Sequence, residues 1–249
     1  MSEHTVAVIQ ARMGSTRLPG KVLLPLDCDH VLSHDIRRVS AAETVDSVVV
    51  ATSTETADDA IEQFGSIRGI DTHRGSEKNV QQRLYEVASA HDADTILRIT
   101  ADCPLIDPKT IDTVVSRVNE GRAEYASNTT HRTFPRGLDV EAFTYESFEN
   151  VVSAATTQAE REHVTPYYRN NPEEFELVNV TSDEVFDEEQ YIDRTDLRLT
   201  LDEAADYRLL KRIYDELKYS GTIPIQKAID HVDDEGLSEL NEAVRQKET

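Results

Sequence analysis

Two periods of apolar and polar positions alternate through the first half of the chain. VAVIQA, from Val6, is an apolar run of the length of a buried strand. HVLSHDIRRVSAA then puts Val31, Leu32, Ile36 and Val39 at helical spacing. SVVVATS predicts a second strand, and ADDAIEQFG a second helix that ends at Gly65. NVQQRLYEVASAH gathers Val80, Leu84, Val87 and Ala88 on one helical face. TILRITA predicts another strand, and DPKTIDTVVSRVNEG a helix with aspartate then proline at its start and glycine at its end. Strands and helices alternating at this spacing predict an α/β fold with a doubly wound, mostly parallel sheet. Such sheets bind ligands outside the carboxyl ends of their strands.

The second half is less regular. GLDVEAFTYESFENVVSAA predicts a strand running into a helix, and TQAEREHVTPYYRNN one helix ended near Pro172. FELVNVTS alternates as an antiparallel strand does. DLRLTLDEAADYRLLKRIYDELK predicts a strand, a turn and a helix with Tyr207, Leu210, Ile213, Tyr214 and Leu217 inward. With no repeat or low-complexity linker, the pattern predicts one domain over residues 1–249, with a less regular subregion over 123–195.

Charge narrows the function classes. Against 26 Lys and Arg stand 48 Asp and Glu, a net charge of −22. A duplex-binding protein shows a basic footprint, so neither nucleic acid nor an anionic membrane is the expected partner. Carboxylates in excess, with lysine scarcer than arginine, suit a surface kept soluble at high ionic strength, and a halophilic cytoplasm is the expectation. The opening MSEHT passes directly into the first strand, and no apolar stretch has the length of a membrane span. A cytoplasmic chain is therefore expected. Cys28 and Cys103 match neither a disulfide framework nor a metal spacing, and Cys103 reads as a small packed residue. His30 and His34 stand four apart, but without a third ligand they read as an exposed helical face.

Against this acidic background, QARMGSTRLPGK places Arg12, Arg17 and Lys21 beside Gly14 and Gly20 at the mouth of the first strand. A glycine-bearing turn exposes backbone N–H groups to phosphate oxygens, arginines add forked contacts and lysine a point charge. It is not a Walker A loop, because Val22 stands where Ser or Thr belongs. On spacing alone, a phosphate cradle and a solvated turn both remain open. Asp102 in ADCPLIDP and Asp202 in LTLDEAADY each follow a predicted strand and can reach one crevice. Two carboxylates are a sufficient protein contribution to a Mg²⁺ site, although either could be surface or turn-capping.

The stretch VIQARMGSTRLPGKVL resembles the N-terminal motif of the cytidylyltransferase family that makes CMP-activated sugars, which includes the CMP-ketodeoxyoctonate and CMP-sialate synthetases. The spore-coat polysaccharide branch is nearest in pattern. RGSEKNVQQRLYEVA, RITADCPLIDP, PRGLDVEAF, REHVTPYYRNNP and LRLTLDEAADYRLLKRIY follow in order and cover most of the chain. The resemblance implies a GT-A-like nucleotidyltransferase fold, a homodimer, a Mg²⁺ requirement, and transfer of CMP from CTP to a sugar or sugar acid with release of pyrophosphate. Carried over by motif, Gln10, Ala11, Arg12, Gly14, Ser15, Thr16, Arg17 and Lys21 would face the nucleotide. Arg12, Lys21 and Asp102 would be the catalytic set, with Lys21 nearest the leaving pyrophosphate. Asp102 and Asp202 would hold the metal; relatives tend to have proline near Ala204, which this chain lacks. Thr52, Arg74 and Gly75 would lie across the base pocket, and Arg136, Asp139, Glu141, Glu162 and His163 on the sugar side. A GT-A glycosyltransferase would instead carry Asp-x-Asp where this chain has Asp102-Cys103-Pro104. A catalytically silent nucleotide-binding subunit would not need Arg12, Lys21, Asp102 and Asp202 together.

Overall fold

The computed structural model describes residues 3–245; Met1 and Ser2 of the opening MSEHT lie outside the described residues. The chain runs through β1 (Thr5–Gln10), a small hairpin of β2 (Pro25–Leu26) and β3 (Asp29–His30), and α1 (Val31–Val39). It continues with β4 (Ser47–Ser53), α2 (Asp59–Arg68), β5 (Asp71–Gly75), α3 (Val80–Ala90), β6 (Thr95–Thr100) and α4 (Pro108–Asn119). The second half holds β7 (Tyr125–Ser127), β8 (Glu141–Thr144), α5 (Tyr145–Ala154), α6 (Gln158–His163), α7 (Pro166–Asn170) and β9 (Leu177–Asn179). Two helices, α8 (Ala204–Leu217) and α9 (Ile225–Asp234), follow.

Seven strands form one sheet in the order β5-β4-β1-β6-β8-β7-β9. β5, β4, β1 and β6 are mutually parallel, whereas β8 runs antiparallel to both β6 and β7. β1 is flanked on both edges, pairing Val8 with Val49 of β4 and with Arg98 of β6. Buried on both faces, it has no polar side until Gln10. Ala7 and Ile9 pack into a core with α1, α2, α4, α8 and α9. Val6 and Val8 face the opposite core, with Leu84 and Val87 of α3, Phe148 of α5 and Tyr168 of α7. This is the doubly wound α/β architecture, and the loops after β1 and β6 open at the same carboxyl edge. Among the described residues, no helix is long and apolar enough to cross a membrane.

Five local expectations are corrected. α2 continues past Gly65 to Arg68 and stops at Gly69, whose φ is 65°. Gly65 instead lets the helix approach β5: a Cβ there would lie 2.1 Å from Thr72 Oγ1. The single helix expected after Thr157 is two short helices, α6 and α7, broken at Val164 and restarted at Pro166. β9 pairs parallel to β7 rather than antiparallel, because the chain returns to that edge through β8 and three helices, α5 to α7. DLRLT is not a strand; Arg198 makes one isolated bridge, to Arg136. His34 is buried rather than exposed, its ring nitrogen 2.9 Å from the Leu26 carbonyl oxygen and its ring against Tyr214. β5, the polar DTHRG, gave no apolar signal because it is an edge strand.

Candidate active site

After Gln10 the backbone turns back on itself. The N–H groups of Ser15 and Gly20 both donate to the Met13 carbonyl, at 3.0 and 2.9 Å. Gly20 adopts φ 71°, where a side chain would be strained, and starts the short 3₁₀ turn that aims Lys21 inward. The loop is also fastened from beneath. Buried Asp58 accepts the Met13 N–H at 2.7 Å and the hydroxyl of Ser53 at the end of β4.

Lys21 reaches the opposite side of the crevice. Its Nζ donates to Asp102 at 2.6 Å, to the Leu201 carbonyl at 2.8 Å and to Asp202 at 3.0 Å. Arg17 approaches the same Asp202 oxygen at 2.8 Å, and Arg198 donates to the other oxygen at 2.7 Å. Burial alone would lower the Lys21 ammonium, but Asp102 and Asp202 override it and raise it. Burial likewise opposes ionisation of Asp202, and Lys21, Arg198 and Arg17 together outweigh it, so that carboxyl sits below its ordinary value.

Asp206 holds this geometry from behind. As the third residue of α8 it completes a capping box with Glu203. Its buried carboxylate accepts the N–H groups of Asp202 and Glu203 at 3.0 and 2.9 Å, Arg198 Nε at 3.0 Å and Asn241 Nδ2 at 2.9 Å. The helix start thereby fixes the backbone of Asp202, while Arg198 fixes its side chain.

Around this cluster opens a cleft of about 370 Å³. Gln10, Ala11, Arg12, Ser15, Thr16, Arg17 and Lys21 form one side and Asp102 and Asp202 the floor opposite. Glu77, Val80 and Arg83 line the α3 side, and Glu162 and His163 approach from α6. Three buried donors on these residues have no hydrogen-bond partner: Gln10 Nε2, Arg17 Nη1 and Arg83 Nε. Unpaired buried donors are costly, and all three here suit a ligand rich in acceptor oxygens. Arg83 is 3% exposed, and its Nη1 donates to the Ser76 carbonyl. Burial, reinforced by Arg12, pushes its guanidinium down to about 10, so it remains cationic at neutral pH.

α6 meets the cleft through a strained corner. Val164 has φ 72° and ψ −57°, and the Thr165 N–H donates to the His163 carbonyl at 2.9 Å. This is a γ-turn of the rarer hand, on a β-branched and fully buried residue. Gln81 Nε2 donates to the Val164 carbonyl at 3.1 Å and helps to hold it.

The structure brings together Gln10, Ala11, Arg12, Ser15, Thr16, Arg17, Lys21, Asp102, Asp202, Glu162 and His163, with Gly14 in the same loop. It places six other candidates off the cleft lining. Thr52 is buried within β4, and Arg74 turns away to Asp59 and Glu62 at 2.7 and 2.8 Å. Gly75 serves indirectly: a Cβ there would lie 2.8 Å from the stem of Arg83. Arg136 lines a separate hollow with Arg198 and Asn241. Asp139 takes a forked pair from Arg132 at 2.6 and 2.8 Å. Glu141 is buried against Arg98. Sequence reasoning missed Asp58, Arg83, Arg198 and Asp206; only Asp206 carried a signal, as the acidic third residue after a helix cap.

As for a metal, the two aspartates come from separate segments and converge on one position that the Lys21 ammonium occupies. A cation already favours that position, and two carboxylates with phosphate oxygens and water form a donor set suited to Mg²⁺. Among the described residues, no group of three or more His, Cys, Asp or Glu could hold a metal ion. The pair would therefore need oxygens from a ligand to complete a shell.

Residues 6–235 match the model of a family described as cytidylyltransferase. The spore coat polysaccharide biosynthesis protein SpsF of Bacillus subtilis is 33% identical over 212 residues, 83% of this chain and 85% of that protein. A 3-deoxy-manno-octulosonate cytidylyltransferase of Pelobacter propionicus is 38% identical over 112 residues, 45% of this chain and 43% of that one. The solved structure of a cytidylyltransferase from Leptospira borgpetersenii serovar Hardjo-bovis aligns with a TM-score of 0.87 and 33% identity, covering 99% of this chain and 100% of that one.

Proposed function

The chain belongs to the cytidylyltransferase family, and from that premise we propose that it transfers CMP from CTP to a sugar or sugar acid, releasing pyrophosphate. The observation that carries this reading is one cleft in which Lys21, Asp102 and Asp202 converge beside three buried donors that make no hydrogen bond. A triphosphate supplies the acceptors that the donors lack. Arg12, Arg17 and the N–H groups of the loop would bind its oxygens, and Lys21 would exchange carboxylate for phosphate contacts. The acceptor oxygen forms a bond to the α-phosphorus, the bond to the bridging oxygen of the β-phosphate breaks, and the attacking hydroxyl gives up its proton to solvent water. Lys21 and Arg12 stabilise the charge gathering on the pyrophosphate, and the fixed cleft aligns attacker and leaving group. Mg²⁺, held by Asp102 and Asp202 when bound, would neutralise phosphate charge.

Glu162 and His163 stand where an acceptor would lie, with the 123–195 subregion supplying the sugar side and a dimer contact. The likeness to a spore coat polysaccharide protein and to a sugar-acid cytidylyltransferase supports a cytoplasmic role in surface glycan synthesis. The net charge of −22 supports a high-salt cytoplasm, testable by whether stability rises with KCl. The deciding experiment measures pyrophosphate release with Mg²⁺ and each of the four ribonucleoside triphosphates, offering a nonulosonic acid or a sugar 1-phosphate as acceptor. Release with CTP and one acceptor class is expected. No release with CTP, or equal release with every nucleotide, overturns the reading.

A further inference from the structure

A polar row, half-buried at Gln10 and Arg98 and buried at Glu141, crosses the sheet beneath the cleft. Gln10, Arg98 and Glu141 stand on β1, β6 and β8, the three adjacent strands at its centre, with Arg98 directly opposite Glu141 in register. Glu141 is 6% exposed and pairs through Oε2 with Arg98 Nη1. Its other oxygen accepts the Tyr125 hydroxyl at 2.6 Å and the Thr165 hydroxyl at 2.7 Å. Burial alone would raise this carboxyl, but Arg98, with the two hydroxyls, holds it below its ordinary value.

The other end of the row determines what Gln10 presents. Arg98 Nε donates to Gln10 Oε1 at 3.3 Å. A guanidinium has only donors, so the glutamine amide must turn its oxygen toward Arg98 and its NH₂ group away. That nitrogen is buried, has no partner, and belongs to a residue lining the cleft. Glu141 fixes Arg98, and Arg98 fixes the amide.

We propose that Gln10 reads a substrate oxygen through its NH₂ group, and that Arg98 and Glu141 are positioning residues that keep it in the donor orientation. The oxygen is a carbonyl of the nucleotide base or an oxygen of the acceptor; both offer the lone pair this donor needs. Glu141 also holds Thr165, next to Val164, so the same carboxylate orients Gln10 through Arg98 and anchors the corner that carries His163. The row takes Glu141 out of direct sugar contact and gives it a role one step removed. The identity of the substrates rests on the reading above.

The test uses Gln10→Ala, Arg98→Lys and the double variant, with KM measured separately for CTP and for the acceptor. Lysine keeps the charge opposite Glu141 but lacks the fork that also reaches Gln10. Each single variant is expected to raise KM for the same one substrate about tenfold, as for a lost hydrogen bond with its donor site still buried, with kcat within about twofold. Which KM moves identifies the base or the acceptor. The double variant is expected to be no worse than Gln10→Ala, since both act through one amide. Unchanged KM values in Gln10→Ala, or multiplying effects in the double, overturn the proposal. Should Arg98→Lys lose its thermal transition, Arg98→Met with Glu141→Gln removes both charges and is held to the same outcomes. A wild type inert toward CTP overturns the proposed function instead. The positioning is then decided by the ¹⁵N order parameter of the Gln10 side-chain amide, high in wild type and low in Arg98→Lys if the row fixes it, and equal in both if it does not.

Discussion

The two sides of the cleft solve the problem of buried polarity in opposite ways. Around Asp202 every charge has its counter-charge before any ligand arrives: Lys21, Arg17 and Arg198 converge on one carboxylate, and Asp206 secures Arg198 from behind. On the side of Gln10 and Arg83, buried donors stand without acceptors. On the proposed function the first side would bind by exchanging partners, a triphosphate displacing carboxylate contacts already made. The second binds by completion, since its donors gain a partner only from the ligand. Charge exchange suits a polyanion whose arrival and departure must both be easy. Waiting donors suit discrimination, because a ligand lacking the matching oxygen leaves them buried and unpaired.

Removing Lys21 is the most severe way to break the paired side. Lys21→Ala is expected to lower pyrophosphate release about 10³-fold, the order seen when a preorganised charge facing a transition state is lost. Retention of even a tenth of wild-type turnover would contradict its placement. Next in size is Asp206→Ala, which removes one of the carboxylates on Arg198 and the acceptor of two backbone N–H groups. Stripping one partner from a buried pair costs about 3 kcal/mol or more, measured by urea unfolding. The waiting side should respond differently. Arg83→Met keeps the stem and drops the guanidinium, so KM for CTP rises about tenfold while the unfolding midpoint holds or increases slightly. If stability fell as far as in Asp206→Ala, the contrast between the two sides would collapse.

The smallest effect comes from a paired carboxylate outside the cleft and calibrates the others. Burial would raise Asp29, but hydrogen bonds from Ser33, the His30 N–H and Arg68 outweigh it and bring it down to about 2. A depressed carboxyl contributes stability that is complete above about pH 4 and disappears as pH falls toward 2. Asp29→Asn should therefore flatten the acid limb of stability below pH 4 and leave pyrophosphate release unchanged, as followed by thermal unfolding across pH.

The difference between the two sides also explains what could be read in the sequence. Val6, Val8 and the apolar faces of α1, α3 and α4 follow directly from periodicity, because burial on both sides of a parallel sheet writes itself as unbroken apolar runs. The cations of the first loop stood out against an acidic chain, and Asp102 and Asp202 through motif likeness. Arg98 and Glu141 were invisible as partners: each looks like the outward residue of an alternating strand, and only the β6–β8 register makes them opposite. Arg136 faces a different hollow because the 135–138 turn packs against Leu199. Gly137, with φ 103°, leaves no room for a Cβ, which would lie 2.5 Å from the Leu199 carbonyl carbon. The break at Val164 escaped because nothing in HVTPYY marks a β-branched residue for positive φ; the proline two residues on was the only hint.

The central place of β1 bears on how the sheet is assembled. Within the sheet, β1 is made before both of its neighbours, and it gains its second edge only when synthesis has reached residue 100. Until then Val6 to Ile9, fully buried in the finished protein, keep one edge open for a chaperone to hold or a neighbouring chain to capture. Glu141 arrives later still. Within the row, the amide of Gln10 is made first and oriented last.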